Sequence, residues 1–89
     1  MYYVYMLRCK GGSLYTGYTD DLERRYALHA AGKGAKYTKS RPPLCIAAAW
    51  ETAQKSDAMR LEFRIKRLTK AKKELLLGQT LGEPYHKVR

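Results

Sequence analysis

Arg25 and His29 lie four positions apart in the segment SLYTGYTDDLERRYALH, residues 13–29. The second half of this segment has the pattern of a helix, and side chains four positions apart share one helix face. A guanidinium can donate two parallel hydrogen bonds to phosphate oxygens, and an imidazole can carry a proton near neutral pH. The pair therefore suits phosphate chemistry, but taken alone it fits a solvated helix face better.

Glu62 is the second residue whose position suits chemistry. A helix is predicted from Ser56, as its N-cap, to about Leu68, and Glu62 falls at the edge of the apolar stripe. That stripe consists of Ala58, Leu61, Ile65 and Leu68. A carboxylate there could hold Mg²⁺, which takes one or two protein carboxylates and completes its shell with water and phosphate oxygens. The alternative is an ion pair with Lys66, one turn further along the helix.

The signals along the chain predict the element order β-β-α-β-α-α. The predicted strands cover residues 2–9, 14–18 and 44–50, and the predicted helices cover residues 19–32, 56–68 and 69–78. Thr19, Asp20 or Asp21 is expected to cap the first helix and Thr69 the third. The glycine-rich, basic residues 32–43 are predicted to form a loop. The fold class is a mixed α/β domain: a small three-stranded, mainly antiparallel sheet with helices packed against it.

The hairpin formed by the first two strands carries a geometric condition. Tyr5 and Tyr15 share a face of the sheet only if the numbers of paired residues sum to an even number, because side chains alternate along a strand. A three- or five-residue loop around Gly11-Gly12 meets this condition, and a four-residue loop does not. We therefore expect an odd loop with a glycine bulge.

Charge is the strongest compositional signal. The 89 residues include 18 Lys and Arg against 8 Asp and Glu, a net charge of +10. Such an excess indicates a polyanionic partner, with nucleic acid first and an anionic membrane surface second. No apolar run approaches the ~20 residues that span a bilayer, and the N-terminus lacks the pattern of a secretory signal.

Length and cysteine usage set further bounds. A chain of this length forms one domain, in which we expect residues 1–78 to form the packed body and residues 79–89 a loosely ordered tail. Cys9 and Cys45 each lie alone in an apolar stretch, so we expect two buried, reduced thiols in a cytoplasmic protein. The chain has no pair of cysteines and no histidine at the spacing of zinc ligands, which excludes a zinc site.

Basic residues are concentrated in the loop 32–41 and in the helical region 55–73, which has eight basic and two acidic residues. We expect both to grip a phosphate backbone with little sequence preference and a strong salt dependence. Tyr37 either stacks on a base, lines the site or packs against the protein. The expected nucleic-acid-binding residues are Lys33, Lys36, Tyr37, Lys39, Arg41, Arg64, Lys66 and Arg67.

The order of the motifs resembles the GIY-YIG nuclease superfamily over a region from about Tyr2 to Leu77. The matching elements are Tyr3-Val4-Tyr5, Tyr15-Thr16-Gly17, Arg25, His29 and Glu62. The phrases SLYTGYTDDLERR, HAAGKGAKYT and EFRIKRL support the same resemblance. The chain looks like a small, stand-alone bacterial member that consists of this single domain.

The resemblance implies an endonuclease that hydrolyses phosphodiester bonds with the help of a divalent metal. Tyr5 and Tyr15 would be the two motif tyrosines, one of which deprotonates or orients the attacking water. Arg25 would bind the scissile phosphate, and His29 would hold phosphate or relay a proton. Glu62 would be the single carboxylate on one Mg²⁺ or Mn²⁺ ion. Arg25 and a metal-bound water are expected to favour the ionised form of the tyrosine.

The chain departs from the family pattern at several positions. Tyr3 stands in place of the leading glycine, Thr16 in place of isoleucine, and Tyr18 where several relatives have lysine, and asparagine is absent. We expect no added DNA-recognition domain, and therefore cleavage with little sequence specificity, in DNA repair or processing, unless a protein partner supplies specificity. The alternatives are a DNA- or RNA-binding module of the same fold that has lost catalysis, and an adaptor whose basic helix contacts an acidic protein.

Overall fold

Four antiparallel strands form the centre of the protein. The structure, a computed structural model, describes all residues from Met1 to Arg89. The strands are β1 (Tyr2–Cys9), β2 (Leu14–Thr19), β3 (Pro43–Thr52) and β4 (His86–Lys87). Their order across the sheet is β2-β1-β3-β4, so β3 is an interior strand and β2 an edge strand. The predicted mixed α/β fold with an antiparallel sheet is confirmed, but the predicted number of three strands is wrong.

Four helices accompany the sheet: α1 (Leu22–Ala30), α2 (Lys36–Ser40), α3 (Lys55–Lys66) and α4 (Lys70–Leu76). Helix α2 lies in the region that the sequence predicts to be a loop. It is a short helix of five residues without a side-chain cap. A helix of that length has no apolar periodicity to detect, and its glycine-rich, basic surroundings are typical of a loop.

The helix starts agree with the predicted caps in two of three cases. The N-cap of α1 is Asp21, one of the predicted caps, whose side chain accepts a hydrogen bond from a first-turn backbone N–H. Thr69 caps α4, as predicted. Ser56, the predicted cap of α3, lies inside that helix, which begins one residue earlier. Several adjacent polar residues can cap a helix, so the sequence locates the start of a helix only to within a residue or two.

The β1-β2 hairpin meets the condition for a shared tyrosine face. Tyr5 pairs with Gly17 and Leu7 pairs with Tyr15, so the paired numbers sum to an even number. Side chains at Tyr5 and Tyr15 therefore lie diagonally on the same face of the sheet. The predicted register of the two motif tyrosines is confirmed.

The loop of this hairpin has the predicted odd length. The backbone N–H of Cys9 donates to the carbonyl of Ser13 at 2.9 Å, which leaves residues 10–12 between the two paired positions. Gly11 and Gly12 have φ values of +91° and +93°, and glycine enters this region without the steric cost of a side chain. The glycine pair is therefore what allows the loop to be this tight.

Helices cover both faces of the sheet. The face against α3 is built from Val4, Met6, Leu14, Ala48, Trp50, Ala58, Leu61 and Ile65. The face against α1 is built from Tyr5, Leu7, Cys9, Leu22 and Ala49, with Tyr3, Tyr15, Tyr26 and Ile46 at its margin. The two motif tyrosines thus belong to the α1 face, whereas Glu62 lies on the helix that covers the other face.

The C-terminal tail is packed against the body and is not detached from it. Its residues His86 and Lys87 form β4, which pairs with β3. The hydroxyl of Tyr85 donates to the carbonyl of Asp57 at 2.8 Å, and the indole N–H of Trp50 donates to the carbonyl of Gln79 at 3.3 Å. The expectation of a loosely ordered tail is corrected accordingly. A two-residue strand carries no alternating pattern, so the sequence could not reveal it.

The two cysteines differ in their environment. Cys9 is buried, as predicted, but Cys45 is exposed, and both thiols are free. Cys45 follows the exposed Leu44 in the first part of β3, ahead of the stretch that is buried between the helices. No helix has the length and apolar character needed to cross a membrane.

Candidate active site

A hydrogen bond between Tyr5 and His29 forms the centre of the candidate site. The Tyr5 hydroxyl oxygen lies 2.8 Å from Nε2 of His29, with the two rings edge-on and their centroids 5.7 Å apart. Strand β1 supplies the tyrosine, and α1 supplies the histidine from its last turn. Tyr5 is 2% exposed and His29 is fully buried. Each of these two buried polar side chains therefore serves as the hydrogen-bond partner of the other, within the core on the α1 face of the sheet.

The other ring nitrogen of His29 is bound as well. Its Nδ1 lies 2.7 Å from the hydroxyl oxygen of Thr38, a residue of α2 that is 1% exposed. The Thr38 hydroxyl also lies 3.0 Å from the carbonyl oxygen of Ala35. Full burial places His29 where it can hold Tyr5 but cannot reach a phosphate in solvent. Of the two roles that the resemblance implies for His29, the geometry fits proton relay and not phosphate binding.

Tyr15 lies at the margin of the same cluster, half-buried at the sheet edge. Its ring centroid is 5.2 Å from that of His29, and it stacks on Tyr37 of α2 at 5.8 Å with an interplanar angle of 20°. The Tyr37 hydroxyl donates to the hydroxyl of Ser13 at 2.5 Å, and the guanidinium of Arg41 lies 5.9 Å from the Tyr37 ring centroid. Tyr37 thus lines the site through packing, with 38% of its surface exposed.

The charge of Arg25 acts on both central groups. Burial raises the pKa of Tyr5 to about 12, and Arg25 opposes this rise without overcoming it. Burial also lowers the pKa of His29, and the positive charge of Arg25 lowers it further. Arg25 thus favours the ionised form of Tyr5, as expected, but the loss of hydration outweighs its effect. Both partners of the central hydrogen bond are neutral at neutral pH.

Glu62 lies on α3, the helix that covers the other face of the sheet. Its side chain is 20% exposed, and its Oε2 lies 3.3 Å from Nζ of Lys66. The alternative of an ion pair with Lys66 is therefore realised in this structure. Its negative charge also contributes to the raised pKa of Tyr5, so the carboxylate is within electrostatic reach of the tyrosine hydroxyl. The structure thus brings Tyr5, Tyr15, Arg25 and His29 together, with Glu62 close enough for its charge to act on Tyr5.

The family of the chain follows from comparison with known proteins. Residues 1–74 match the family model of the GIY-YIG catalytic domain. The chain belongs to the GIY-YIG family. The UPF0213 protein BH0048 of Halalkalibacterium halodurans is 51% identical over 84 residues, which are 94% of this chain and 88% of that protein. The UPF0213 protein VNG_2274C of Halobacterium salinarum is 50% identical over 76 residues, 85% of this chain and 99% of that protein.

A solved structure is also similar to this GIY-YIG chain. It is the solution NMR structure of the UPF0213 protein BH0048 from Bacillus halodurans, which matches with a TM-score of 0.59 at 50% sequence identity. The match covers 94% of this chain and 89% of that one. The likeness therefore extends over most of the chain.

The glycine that ends the second GIY-YIG motif has a direct steric role here. Gly17 is paired with Tyr5 across the β1-β2 ladder, and a Cβ atom at Gly17 would lie 2.5 Å from the Tyr5 hydroxyl oxygen. Gly34 has the same role on the other side, because a Cβ atom there would overlap with Nδ1 of His29. Two glycines thus make room for the hydrogen-bonded pair. The sequence identified Gly34 only as a turn glycine.

The donor set fits a single hydrated divalent ion. No three His, Cys, Asp or Glu side chains are grouped closely enough to hold a metal by themselves. Glu62 offers one carboxylate at the site, and Mg²⁺ and Mn²⁺ accept a shell completed by water and phosphate oxygens. A closed zinc site or a pair of metal ions would need more protein ligands than this region offers.

The basic residues proposed for nucleic-acid binding are all exposed. They lie on two segments, the α1-α2 region on one face of the sheet and α3 on the other. The exposed set is Lys33, Lys36, Lys39, Arg41, Arg64, Lys66 and Arg67. The candidate site at the β2 edge is therefore flanked by positive charge from both layers.

Thr38 is the member of the cluster that the sequence did not single out. A threonine in a basic loop has no feature that distinguishes a buried hydrogen-bonding role from solvent exposure. The only indication was its place in the phrase HAAGKGAKYT, which contributed to the family resemblance.

Proposed function

We propose that this protein is a metal-dependent endonuclease that hydrolyses nucleic-acid phosphodiester bonds with little sequence specificity. The observation that carries the proposal is the buried hydrogen bond between Tyr5 and His29, at 2.8 Å, in a chain of the GIY-YIG family. A polar pair inside a small core destabilises a fold less when each partner is satisfied, but an apolar pair would pack there without this requirement. Its presence beside Tyr15 and Arg25 supports a chemical role.

The Tyr5–His29 pair suits concerted proton transfer. With its pKa raised to about 12, a free Tyr5 phenolate is unfavourable at neutral pH. Tyr5 can instead accept a proton from the attacking water while its own proton passes to Nε2 of His29. The hydrogen bond then carries the proton without a free phenolate. Tyr15, which is half-buried, orients the water or the substrate at the edge of this pair.

Arg25 and Glu62 would supply the charge that the reaction needs. Arg25 binds the scissile phosphate, where a guanidinium can donate two hydrogen bonds and stabilise the growing negative charge of the transition state. Glu62 would hold a single Mg²⁺ or Mn²⁺ ion, which when bound neutralises charge at the leaving oxygen. Since Lys66 pairs with Oε2 of Glu62, the other carboxylate oxygen would be available to hold the metal.

The exposed basic residues of α1-α2 and α3 would hold the phosphate backbone on both sides of the β2 edge. Contacts with phosphates carry no base information, so binding would be largely independent of sequence. DNA is the first candidate substrate and RNA the second. A protein partner would add specificity, and a setting in DNA repair or processing within the cytoplasm belongs to the same proposal.

The test is cleavage of labelled duplex, branched and single-stranded DNA and RNA in Mg²⁺ or in EDTA. We expect cleavage by the wild-type protein in Mg²⁺, none in EDTA, and a loss of at least about 100-fold in Glu62→Gln. The control is Glu23→Gln, which removes an exposed carboxylate in the first turn of α1. In the wild-type protein this carboxylate pairs with Arg89. Equal activity of wild type and Glu62→Gln would contradict the proposed metal role.

A binding module without catalysis is the second candidate. The 3.3 Å ion pair between Glu62 and Lys66 favours it, because a carboxylate already neutralised by lysine is less available to a metal. This function predicts nucleic-acid binding in EDTA, no cleavage of any substrate in Mg²⁺, and the same binding by Glu62→Gln. The same set of assays therefore separates the two functions.

A further inference from the structure

Thr38 closes a chain of hydrogen bonds that begins at Tyr5. The chain runs from the Tyr5 hydroxyl to Nε2 of His29 at 2.8 Å, and from Nδ1 of His29 to the Thr38 hydroxyl at 2.7 Å. It ends at the carbonyl oxygen of Ala35, 3.0 Å from the same hydroxyl. The side chains of Tyr5, His29 and Thr38 are each at least 98% buried, so solvent does not compete for these hydrogen bonds.

The direction of each hydrogen bond follows from counting protons. The carbonyl of Ala35 can only accept, so the single hydroxyl proton of Thr38 is donated to it. The Thr38 oxygen must then accept from Nδ1 of His29, which therefore carries the proton of the neutral ring. Nε2 is left without a proton and accepts the hydroxyl proton of Tyr5. The backbone N–H of Ala35 also points at Nδ1, at 3.5 Å, and on its own this bond would suit an unprotonated Nδ1. The Thr38 oxygen lies much closer, at 2.7 Å, so we assign the ring proton to the bond with Thr38.

We propose that Thr38 is a positioning residue that holds His29 in its Nδ1–H tautomer, so that Nε2 can accept the proton of Tyr5. With the opposite tautomer, Nε2 would donate to Tyr5 and could not take its proton. The consequence for catalysis rests on the proposed nuclease function, whereas the tautomer is a property of the folded protein alone.

The steric surroundings support the same assignment. Gly34 allows the segment between α1 and α2 to approach Nδ1, because any Cβ atom there would overlap with the ring. Ala35 is the N-cap of α2, and its carbonyl already accepts the Lys39 N–H at 3.1 Å. That carbonyl is thus fixed in direction by the helix, and the Thr38 hydroxyl turns towards it. Helix α2 therefore has a role beyond connecting α1 to β3.

Long-range ¹H–¹⁵N NMR of the histidine rings, at a pH where His29 is neutral, measures the tautomer directly. The chain has two histidines, and His86, which is exposed, is assigned through His86→Gln. We expect the His29 proton on Nδ1 in wild type and in Thr38→Ser, which keeps the hydroxyl. We expect a mixture or the Nε2–H form in Thr38→Val, which has nearly the same shape without the hydroxyl.

Cleavage rates of the same variants test the catalytic part of the proposal. Thr38→Ser is expected to stay within about threefold of wild type, and Thr38→Val to lose about 10- to 100-fold in the single-turnover rate with unchanged affinity for nucleic acid. A proton on Nε2 in wild type would overturn the proposal, even if Thr38→Val failed to fold. An Nδ1–H ring in wild type that persists in Thr38→Val would overturn the role of Thr38. Absence of any cleavage by wild type would remove the nuclease function and leave the NMR result to decide the tautomer.

Discussion

At the scale of single residues, the candidate site depends on two glycines, which have no side chain, as much as on its polar side chains. Gly17 and Gly34 leave the space that Tyr5 and His29 occupy. The motif pattern predicts the tyrosine and the histidine, and the alternation of strand residues predicts the shared face of the two tyrosines. Neither predicts burial, because a motif gives the type and order of residues but not the depth at which they lie in the core. The sequence therefore identifies Arg25 as a group that lowers the pKa of Tyr5, but not the burial that outweighs it.

Substitution of Gly17 tests the steric requirement. Gly17→Ala places a methyl group 2.5 Å from the Tyr5 hydroxyl oxygen, so the ring must move and the bond to His29 must break or lengthen. We expect a loss of about 1–3 kcal/mol in the free energy of unfolding, measured by urea denaturation. Gly78→Ala is the matched control, since a methyl group at Gly78 would have no other atom within 4 Å and the residue has no positive φ. Equal stability of the two variants would show that the close approach is not required.

The pH dependence of stability tests the burial of His29. Its pKa lies below the ordinary value of 6.5 in the folded protein, chiefly through burial. Between the two values the unfolded chain binds a proton that the folded chain does not, so stability falls as pH decreases through 6.5 towards the lowered pKa. We expect His29→Gln to lose this part of the pH dependence, measured as the unfolding free energy at pH 7.5 and pH 5.5. His86→Gln, at an exposed site, should keep it; a pH dependence unaltered in His29→Gln would contradict the buried neutral state.

At the scale of elements, repeating apolar residues and capping residues predict the long helices and strands. They do not predict the short ones. The stripe Ala58, Leu61 and Ile65 of α3 is buried as its spacing requires, and Thr69 caps α4. Helix α2 and strand β4 have five and two residues, too few for a repeating pattern. These short elements are held by tertiary contacts, such as those of Thr38 with His29 and of Tyr85 with Asp57. Such contacts join residues distant in sequence, so single-sequence patterns do not show them.

An ion pair fixes α4 to the first strand. Two guanidinium nitrogens of Arg8 lie 2.5 and 2.7 Å from the carboxylate oxygens of Glu74. The hydrogen bond from Arg8, with one from Lys70, lowers the pKa of Glu74 to about 2. The stability contributed by this carboxylate is therefore fully present above its unfolded pKa and is lost as the pH falls through about 2.

Glu74→Gln tests this contribution. We expect a lower melting temperature than wild type at pH 7, and a difference that shrinks as the pH is lowered towards 2, since the wild-type carboxylate is then protonated. Thermal unfolding followed by circular dichroism provides the measurement. Glu23→Gln, which affects a more exposed pair with Arg89, should change the melting temperature less. A Glu74→Gln effect that is equally large at pH 7 and pH 2 would rule out the ion pair as its cause.

At the scale of the whole molecule, the chain carries a net charge of +10, and the basic residues proposed to bind nucleic acid lie on segments that cover both faces of the sheet. The sheet separates the site into two layers, with Tyr5, Tyr15, Arg25 and His29 on one side and Glu62 on the other. The number and sign of charges can be read from the sequence, and they correctly indicate exposed basic segments. Their arrangement around one sheet edge cannot be read, because it depends on which face of the sheet each helix covers.

Salt dependence tests whether the α1-α2 segment contacts phosphates. Binding to a labelled duplex in EDTA should weaken steeply with salt, and a double variant Lys36→Gln with Lys39→Gln should reduce the logarithmic salt slope by about 1–2. Arg60→Gln is the control, because Arg60 lies on the side of α3 away from Glu62 and pairs with Asp57 at 2.8 Å. A salt slope that falls equally in the control would indicate a general charge effect and no defined surface.

The proposed role of the Tyr5–His29 pair in phosphodiester cleavage is tested most directly by Tyr5→Phe. This change removes one oxygen atom, and Tyr85→Phe is the matched control because its hydroxyl bonds the Asp57 carbonyl away from the site. The measurement is the single-turnover cleavage rate of a labelled substrate in Mg²⁺, with the dissociation constant determined in EDTA. We predict that Tyr5→Phe cleaves at least about 100-fold more slowly with the same affinity, and that Tyr85→Phe cleaves like wild type. An unchanged rate in Tyr5→Phe would show that the buried pair is structural and would contradict its proposed part in catalysis.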